Sequence, residues 1–209
     1  MIVMEVEMKV DIYTLVHEIK NPLAICKGYL SMLNSNNLER YKDIISCNLQ
    51  ESLNILNNYL DTRKMCIQKD IMDINLLMES IIDNYKNICH VNFKYISLYD
   101  ELLINGDYDR LKQVFNNIIK NSIEASSKNI SISVKIVKND VLISILDDGS
   151  GINDLLKVNN GSSYTNKING NGIGIIVCRE IIKAHGGSIK YDNNIDTGCR
   201  VIIKLPINI

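Results

Sequence analysis

Residues 14–23 read TLVHEIKNPL and place a histidine within a strongly periodic helical segment. Apolar residues recur there at heptad spacing along two neighbouring ridges: Val16, Leu23 and Leu30 on one, and Ile12, Ile19, Cys26 and Leu33 on the other. Such a stripe is typical of a helix that buries its apolar side against a partner helix. The sequence therefore predicts a helix that begins within the first ten residues and ends near Leu33.

His17 lies one position past the Val16 ridge, so we expect its side chain to face water beside the helix seam. Asn21 shares that exposed face one turn later, and Pro22 predicts a kink because it removes a helical hydrogen bond. An exposed histidine next to the carboxylate of Glu18 could act as a nucleophile or a base. A surface histidine on an ordinary bundle helix would show the same local pattern.

A second amphipathic helix is predicted from about Leu38 to about Met65, after a polar break at 34–37. Its apolar stripe consists of Ile45, Leu49, Leu53, Leu56 and Leu60. Because half of each stripe in a two-helix hairpin stays exposed, the sequence favours a homodimer whose two hairpins form a four-helix bundle. Packing of the hairpin against the rest of its own chain is the alternative.

The length of 209 residues allows one or two domains, and the net charge of −1 gives no indication of a nucleic-acid partner. Six scattered cysteines without a C-x-x-C pair favour a reducing cytoplasm over a disulfide scaffold or a zinc site. The N-terminal stretch MIVMEVEMKV is too short and too charged for membrane insertion. A soluble, cytoplasmic protein is therefore expected.

Strand-like and helix-like segments interleave in the rest of the chain. Helices are expected at 74–88, 107–125 and 172–184, and strands at 91–97, 102–105, 130–137, 141–146, 187–191 and 199–205. Lys138-Asn139-Asp140 indicates an antiparallel hairpin, and Asp107 is a plausible N-cap. This pattern predicts an α/β sandwich with a mixed sheet, which with the helical hairpin gives an α+β protein.

Two polar pieces of this second part suit a nucleotide. Asn117 and Asn121 lie one turn apart on one helix face, where an amide oxygen could bind Mg²⁺, although a solvated polar stripe has the same pattern. A predicted strand ends at Asp147 and continues into Gly149 and Gly151, which allow a tight turn beside a ligand. An aspartate there could accept a hydrogen bond from an adenine amino group, but a simple turn is the alternative.

A third piece, GNGIGI, contains Gly170, Gly172 and Gly174 and leads into a predicted helix whose N–H groups suit phosphate oxygens. Alone, a glycine pattern is weak evidence. In order and spacing, HEIKNPL at 17–23 and the three pieces resemble the H, N, G1 and G2 boxes of sensor histidine kinases, whose ATP-binding domain has the Bergerat fold. The N box NSIEA, at 121–125, is similar to that of sporulation-type kinases.

The resemblance implies a division of the chain and a reaction. Residues 1–68 would form the dimerisation and histidine-phosphotransfer hairpin, and residues 69–209 the catalytic ATP-binding domain. His17 would attack the γ-phosphate of ATP with Glu18 as the neighbouring base, and the phosphoryl group would pass to an aspartate of a response-regulator receiver domain. The amide of Asn21 could instead orient a water that hydrolyses the phosphoaspartate of the regulator.

For the nucleotide, the resemblance implies that Asn121 binds Mg²⁺, that Asn117 lies near the phosphates and that Asp147 reads the adenine. The pocket and its lid would be shaped by Gly149, Gly151, Gly170, Gly172 and Gly174, with Lys167 as a phosphate contact.

The chain also departs from the family pattern. The segment between the G boxes, LLKVNNGSSYTNK, lacks the usual phenylalanine, Glu124 stands where many relatives place a cation, and Asp148 has no expected role. Two alternatives therefore stay open: a response-regulator phosphatase with a weak ATPase domain, or a non-catalytic inhibitor that pairs with another histidine kinase. A serine/threonine anti-sigma kinase ranks last because it has no need of the helical hairpin.

Overall fold

The computed structural model describes residues 3–6, 12–34, 37–63, 65–159, 173–193 and 197–207. Its elements in chain order are β1 (Val3–Val6), α1 (Ile12–Ser31), α2 (Leu38–Arg63), β2 (Met65–Gln68), β3 (Asp70–Asp73), α3 (Ile74–Lys86), β4 (Asn92–Ser97), β5 (Leu103–Gly106), α4 (Tyr108–Glu124), β6 (Asn129–Val137), β7 (Asp140–Asp147), α5 (Leu155–Asn159), α6 (Ile173–Ala184), β8 (Ser188–Asn193) and β9 (Cys199–Pro206). In the described ranges, no helix combines the length and the apolar character needed to cross a bilayer.

The first two helices form the predicted antiparallel hairpin. The Tyr29 ring at the end of α1 meets the Tyr41 ring at the start of α2 edge-to-face, with the ring centroids 4.8 Å apart. One turn earlier, the Cys26 thiol donates to the carbonyl of Ile45 over 3.5 Å. These contacts place the end of one helix beside the start of the other, as a short connection requires.

The two apolar ridges of α1 have different environments. Ile19 and Cys26 are partly or fully buried within the chain. Val16 and Leu30, in contrast, are 43% and 57% exposed, and on α2 Leu53 is also exposed. Within one chain, the hairpin therefore buries one ridge of α1 and leaves the other exposed. This exposed ridge is consistent with the homodimer, which stays a prediction.

Two short strands enclose the hairpin in a way that the sequence did not predict. β1 precedes α1, β2 follows α2, and the two pair antiparallel from Val3 opposite Gln68 to Val6 opposite Met65. Residues 3–6 are thus a strand and not the start of the first helix. The segment 66–73, for which the sequence predicted neither a helix nor a strand, contains the end of β2 and all of β3.

The second part of the chain is the predicted sandwich. Five strands form a mixed sheet in the order β4-β6-β7-β9-β8, in which β4 and β6 are parallel and the other neighbours are antiparallel. β3 pairs separately with β5. Helices α3, α4 and α6 share one apolar core with the inner side of the sheet, where fully buried residues include Leu77, Phe115 and Ile143.

The hairpin and the sandwich share part of this core. Ile55 of α2 is fully buried, and Leu15 of α1 is nearly so, within the same apolar cluster as the sandwich helices. α2 packs against α6 there. The base of the hairpin is therefore fixed on the side of the sandwich that carries α6.

Candidate functional site

His17 lies on the water-facing side of α1, as predicted. Its side chain and that of Asn21, one turn later, are both exposed. Glu18 lies between them in α1, but its side chain is outside the described part of the structure. The helix continues through the buried Pro22, and the predicted kink there stays a prediction. An imidazole in this position is open to a phosphoryl donor and to a partner protein.

Asp147 ends the central strand β7 with a buried carboxylate that is 5% exposed. Its Oδ1 accepts from the N–H groups of Gly149 at 2.9 Å and Cys199 at 3.2 Å, and from the Ser127 hydroxyl at 3.2 Å. Within the described residues, Oδ2 accepts only the Ser122 hydroxyl, at 2.8 Å. Because a carboxylate oxygen has two lone pairs, Oδ2 keeps capacity for one further donor.

The glycines after Asp147 fit a tightly folded turn. A Cβ on Gly149 would lie 2.6 Å from the Ser127 hydroxyl oxygen and 2.8 Å from the carbonyl oxygen of Ala125, which is closer than side-chain atoms approach. Gly151 has a φ of +71°, in the left-handed region that favours glycine. The tight turn predicted at these two glycines agrees with this geometry, and its position beside a ligand stays a prediction.

Asn117 and Asn121 lie on α4, where it passes the start of α6. A Cβ on Gly174 would be 3.9 Å from the Asn117 side-chain amide. Nearby on α6, the buried Cys178 thiol donates to the Val114 carbonyl of α4 over 3.7 Å, and burial raises the pKa of this thiol to about 12, so it stays neutral. Asn121, one turn on, is exposed. The structure thus brings one N-box asparagine against the only G2-box glycine among the described residues.

The segment between the two glycine pieces is bounded by a polar clamp. Lys167, Gly170 and Gly172 lie outside the described residues. At the near side of this gap, Arg179 of α6 donates to the Asn159 carbonyl at 2.9 Å and to the Val158 carbonyl. These bonds hold the end of α5 against α6.

The side chain of Asn159 also joins this clamp to the sheet. It pairs with the backbone of Tyr191 in β8 through two bonds of 2.8 and 2.9 Å. Asn159 is therefore hydrogen-bonded both to α6 and to the edge strand β8.

Several residues that organise the site were not predicted. Ser122 and Ser127 hold the Asp147 carboxylate. Asp148, which had no expected role, accepts from the Lys128 and Asn129 N–H groups at 2.7 and 3.0 Å and joins the start of β6 to the end of β7. These hydrogen bonds lower the pKa of the exposed Asp148 carboxyl. Gly198, at φ +91°, has no room for a Cβ beside the Asp147 backbone, and its sequence signal was only a Thr-Gly turn between strands.

The donor set fits nucleotide binding better than a resident metal. The described residues contain no group of three or more His, Cys, Asp or Glu side chains placed to hold a metal ion. A single exposed amide such as that of Asn121 suits Mg²⁺ only when phosphate oxygens and water supply its other ligands. The tight turn at Gly149 and the free capacity of Asp147 provide a place for the base of such a nucleotide.

Two family models match separate parts of the chain. Residues 12–65 match the His Kinase A (phospho-acceptor) domain, and residues 106–209 match the histidine kinase-, DNA gyrase B-, and HSP90-like ATPase family. Sporulation kinase B of Bacillus subtilis is 33% identical over 208 residues, covering 92% of this chain and 48% of that protein. Sporulation kinase C of the same organism is 31% identical, covering 91% of this chain and 47% of that protein.

Solved structures agree as well. Histidine kinase ThkA, solved in complex with the response regulator protein TrrA, superimposes with a TM-score of 0.78 over 93% of this chain and 60% of that chain, at 24% identity. The separate catalytic domain of ThkA is 27% identical, with a TM-score of 0.60 over 67% of this chain and 96% of that domain. The chain spans about half the length of the two sporulation kinases. It belongs to the sensor histidine kinase family, with the phosphoacceptor hairpin and the ATP-binding domain in the order that its motifs predicted.

Proposed function

We propose that this chain is an ATP-dependent protein histidine kinase that phosphorylates His17 and passes the phosphoryl group to an aspartate of a response regulator. The proposal rests on one observation: the same chain contains an exposed His17 and a separate site built on the buried Asp147. The proposed domain boundary lies between residues 68 and 69. It is supported by the end of β2 at Gln68, after which the first strand of the sandwich begins at Asp70.

At the phosphoacceptor, His17 acts as the nucleophile through Nε2 of its neutral imidazole. Glu18 accepts or hydrogen-bonds the Nδ1 proton and so orients the ring. Exposure of His17 on α1 lets the ATP-binding domain approach it. Catalysis then rests mainly on positioning and charge neutralisation, as is usual in phosphoryl transfer.

At the nucleotide, Asp147 Oδ2 accepts the adenine amino group while its other bonds hold the carboxylate in place. Asn121 provides an oxygen ligand for Mg²⁺, and Asn117 lies by the phosphates. When bound, Mg²⁺ would neutralise phosphate charge during the transfer. The glycines assigned to the pocket are Gly149, Gly151, Gly170, Gly172 and Gly174, with Lys167 as a further phosphate contact.

The partners we propose are a second copy of the chain and a receiver domain. The exposed ridge of Val16 and Leu30 on α1, together with Leu53 on α2, is the surface that a second hairpin would cover in a four-helix bundle. ThkA, the structural neighbour, was solved in complex with a response regulator, which supports a receiver domain docked near His17. The cytoplasmic location stays a prediction.

A response-regulator phosphatase is the second candidate, favoured by one observation. Asn21 is exposed one turn from His17 on the same face of α1, where its amide could orient a water toward a phosphoaspartate. The two activities use the same face of the hairpin, so one protein could have both. The well-ordered acceptor geometry at Asp147 argues against an inert module that has lost its nucleotide.

The test is phosphorylation of the purified chain with γ-labelled ATP and Mg²⁺. We expect an acid-labile, alkali-stable label that disappears in His17→Gln and persists in the control His90→Gln, which alters another exposed histidine. ATP binding without any label would contradict the kinase. A receiver domain loaded beforehand with phosphate would then separate a phosphatase, which releases phosphate in an Asn21-dependent way, from an inert binder.

A further inference from the structure

A buried hydrogen bond between Asp107 and His185, here called the joint, connects the two helices that border the proposed nucleotide site. Asp107 and His185 are 9% and 2% exposed. The backbone N–H of Asp107 donates to His185 Nε2 over 2.9 Å, and His185 Nδ1 lies 2.7 Å from the carbonyl of Ile181. Because Nε2 accepts a hydrogen bond and Nδ1 faces an acceptor, the ring is neutral and carries its proton on Nδ1.

This joint lies at one end of a helix pair whose other end carries the nucleotide residues. Asp107 is the N-cap of α4, and its Oδ1 accepts from the Arg110 N–H over 3.1 Å. His185 directly follows the last residue of α6. Further along the pair, Asn117 of α4 faces Gly174 at the start of α6. The bond between Asp107 and His185 thus sets how the N-box helix lies against the G2-box helix.

The same carboxylate also binds the connection from the hairpin. Asp107 Oδ2 accepts from the N–H of Gln68 over 2.9 Å. Gln68 is the last residue of β2, the strand that follows α2 and pairs with β1. One buried aspartate therefore contacts the start of α4, the end of α6 and the strand that leads in from the phosphoacceptor hairpin.

We infer that Asp107 and His185 are positioning residues for phosphoryl transfer: they hold α4 against α6 in the nucleotide-binding arrangement and tie both helices to the incoming strand β2. Neither side chain is assigned to contact ATP or His17. The transfer itself rests on the proposed kinase function, whereas the effect on nucleotide binding can be measured without it.

The hydrogen bond between the Asp107 N–H and His185 Nε2 depends on the protonation state of the His185 ring. Burial lowers the pKa of His185, and the charge of Lys69, next to Gln68, lowers it further, while the bond to Ile181 and the charge of Asp107 oppose this. A protonated ring could no longer accept the N–H of Asp107. Glutamine, in contrast, offers one acceptor and one donor and does not titrate, so it is the conservative replacement.

The first experiment measures binding of a non-hydrolysable ATP analogue with Mg²⁺ to the whole chain by calorimetry between pH 6.0 and 8.0. We expect His185→Phe to weaken binding about tenfold and His185→Gln to stay within about twofold, as the loss or retention of buried hydrogen bonds implies. Burial lowers the pKa of His185, so the series is extended to pH 5.0, where binding to the wild type should weaken and binding to His185→Gln should weaken less. His90→Gln, the matched surface control, should keep the wild-type profile.

The inference is wrong if His185→Phe binds the analogue as tightly as the wild type and only its melting temperature falls. It is equally wrong if His185→Gln and the wild type have the same pH profile. Should His185→Phe fail to fold, the comparison of pH profiles decides alone.

The second experiment separates the link to the hairpin from the cap of α4. Asp107→Asn keeps an oxygen for the Arg110 N–H but turns an NH₂ group toward the N–H of Gln68. Asp73→Asn is the matched control, because Asp73 is the N-cap of α3 and accepts from Asn75 and Leu102 without touching β2.

At saturating ATP, we expect Asp107→Asn to slow labelling of His17 about tenfold while nucleotide affinity changes less than about threefold, and Asp73→Asn to do neither. Equal labelling rates in both variants would overturn the link to β2. If the wild type acquires no label at all, the kinase proposal fails, and the affinity and pH profile of the His185 variants still decide whether the joint positions the two helices.

Discussion

The hairpin and the sandwich differ in how each completes its apolar core. In the sandwich, the inner sides of β6 and β7 and the helices α3, α4 and α6 bury one another, with Leu77 and Phe115 fully enclosed. In the hairpin, one ridge of α1 is covered within the chain and the other, with Val16 and Leu30, stays open. The sandwich thus completes most of its core within the chain, whereas the hairpin leaves an apolar ridge exposed, which the proposed second copy would cover. Four substitutions test this contrast.

The largest expected effect is on the free energy of unfolding, at the point where the two regions share their core. Ile55→Ala should reduce it by about 3 kcal/mol, because it removes buried methyl groups and leaves a cavity beneath α2. Chemical denaturation of the whole chain measures this, with the exposed Ile88→Ala as control, expected to cost less than about 0.5 kcal/mol. Similar costs for both variants would mean that α2 is not part of the common core.

The next effect is confined to the sandwich. Asp147→Asn should weaken ATP binding about 100-fold, because the amide replaces an acceptor of several donors by a group that itself donates. Asp83→Asn, which changes an exposed carboxylate on α3, is the control and should stay within about threefold. Calorimetry supplies the affinities, and sedimentation should show an unchanged oligomeric state. A change of assembly with Asp147→Asn would show that the nucleotide site also affects the proposed homodimer.

The third effect is confined to the hairpin. Leu53→Asp should raise the dissociation constant of the proposed homodimer at least about tenfold, since a charge would replace a leucine on the ridge that a second copy would cover. ATP affinity should remain that of the wild type. Sedimentation equilibrium measures the constant, and Leu76→Asp, on the exposed side of α3, is the matched control. Dimers equally stable in both variants would show that this ridge is not the interface.

The smallest effect concerns pH and the sandwich alone. Burial lowers the pKa of His185 in the folded protein, so the unfolded chain binds more protons at mildly acidic pH. The contribution of this ring to stability is therefore complete above the unfolded pKa of about 6.5 and is lost as pH falls below it. Thermal melts at pH 7.5 and 5.5 should show a smaller decline for His185→Gln than for the wild type. Parallel declines would contradict the neutral assignment.

Features set by neighbours along the chain were predictable. The exposure of His17 and Asn21 follows from helical periodicity, and Asp107 at the start of α4 follows from its capping chemistry. The strand that ends at Asp147 was likewise recognisable from its alternating pattern and the glycines after it. Each of these features depends on residues within a few positions of one another.

Features set by distant parts of the chain were not predictable. Periodicity showed two apolar ridges on α1, but it could not tell which one α2 would cover. The pairing of β1 with β2 joins segments about sixty residues apart, and neither four-residue strand has a pattern of its own. Ser122 and Ser127 reach Asp147 from 25 and 20 positions away, so the chemistry of that carboxylate appeared only in three dimensions.

The pairing of β1 with β2 has a mechanical consequence for the two long helices between them. Val6 lies opposite Met65, so the chain leaves and re-enters the base of the hairpin at one place and encloses both helices in a ring. Sliding α1 along α2 by a single helical turn would demand that this ring open. Rotation or bending of the pair as a unit leaves the ring intact, and such motion is therefore the easier way to move His17.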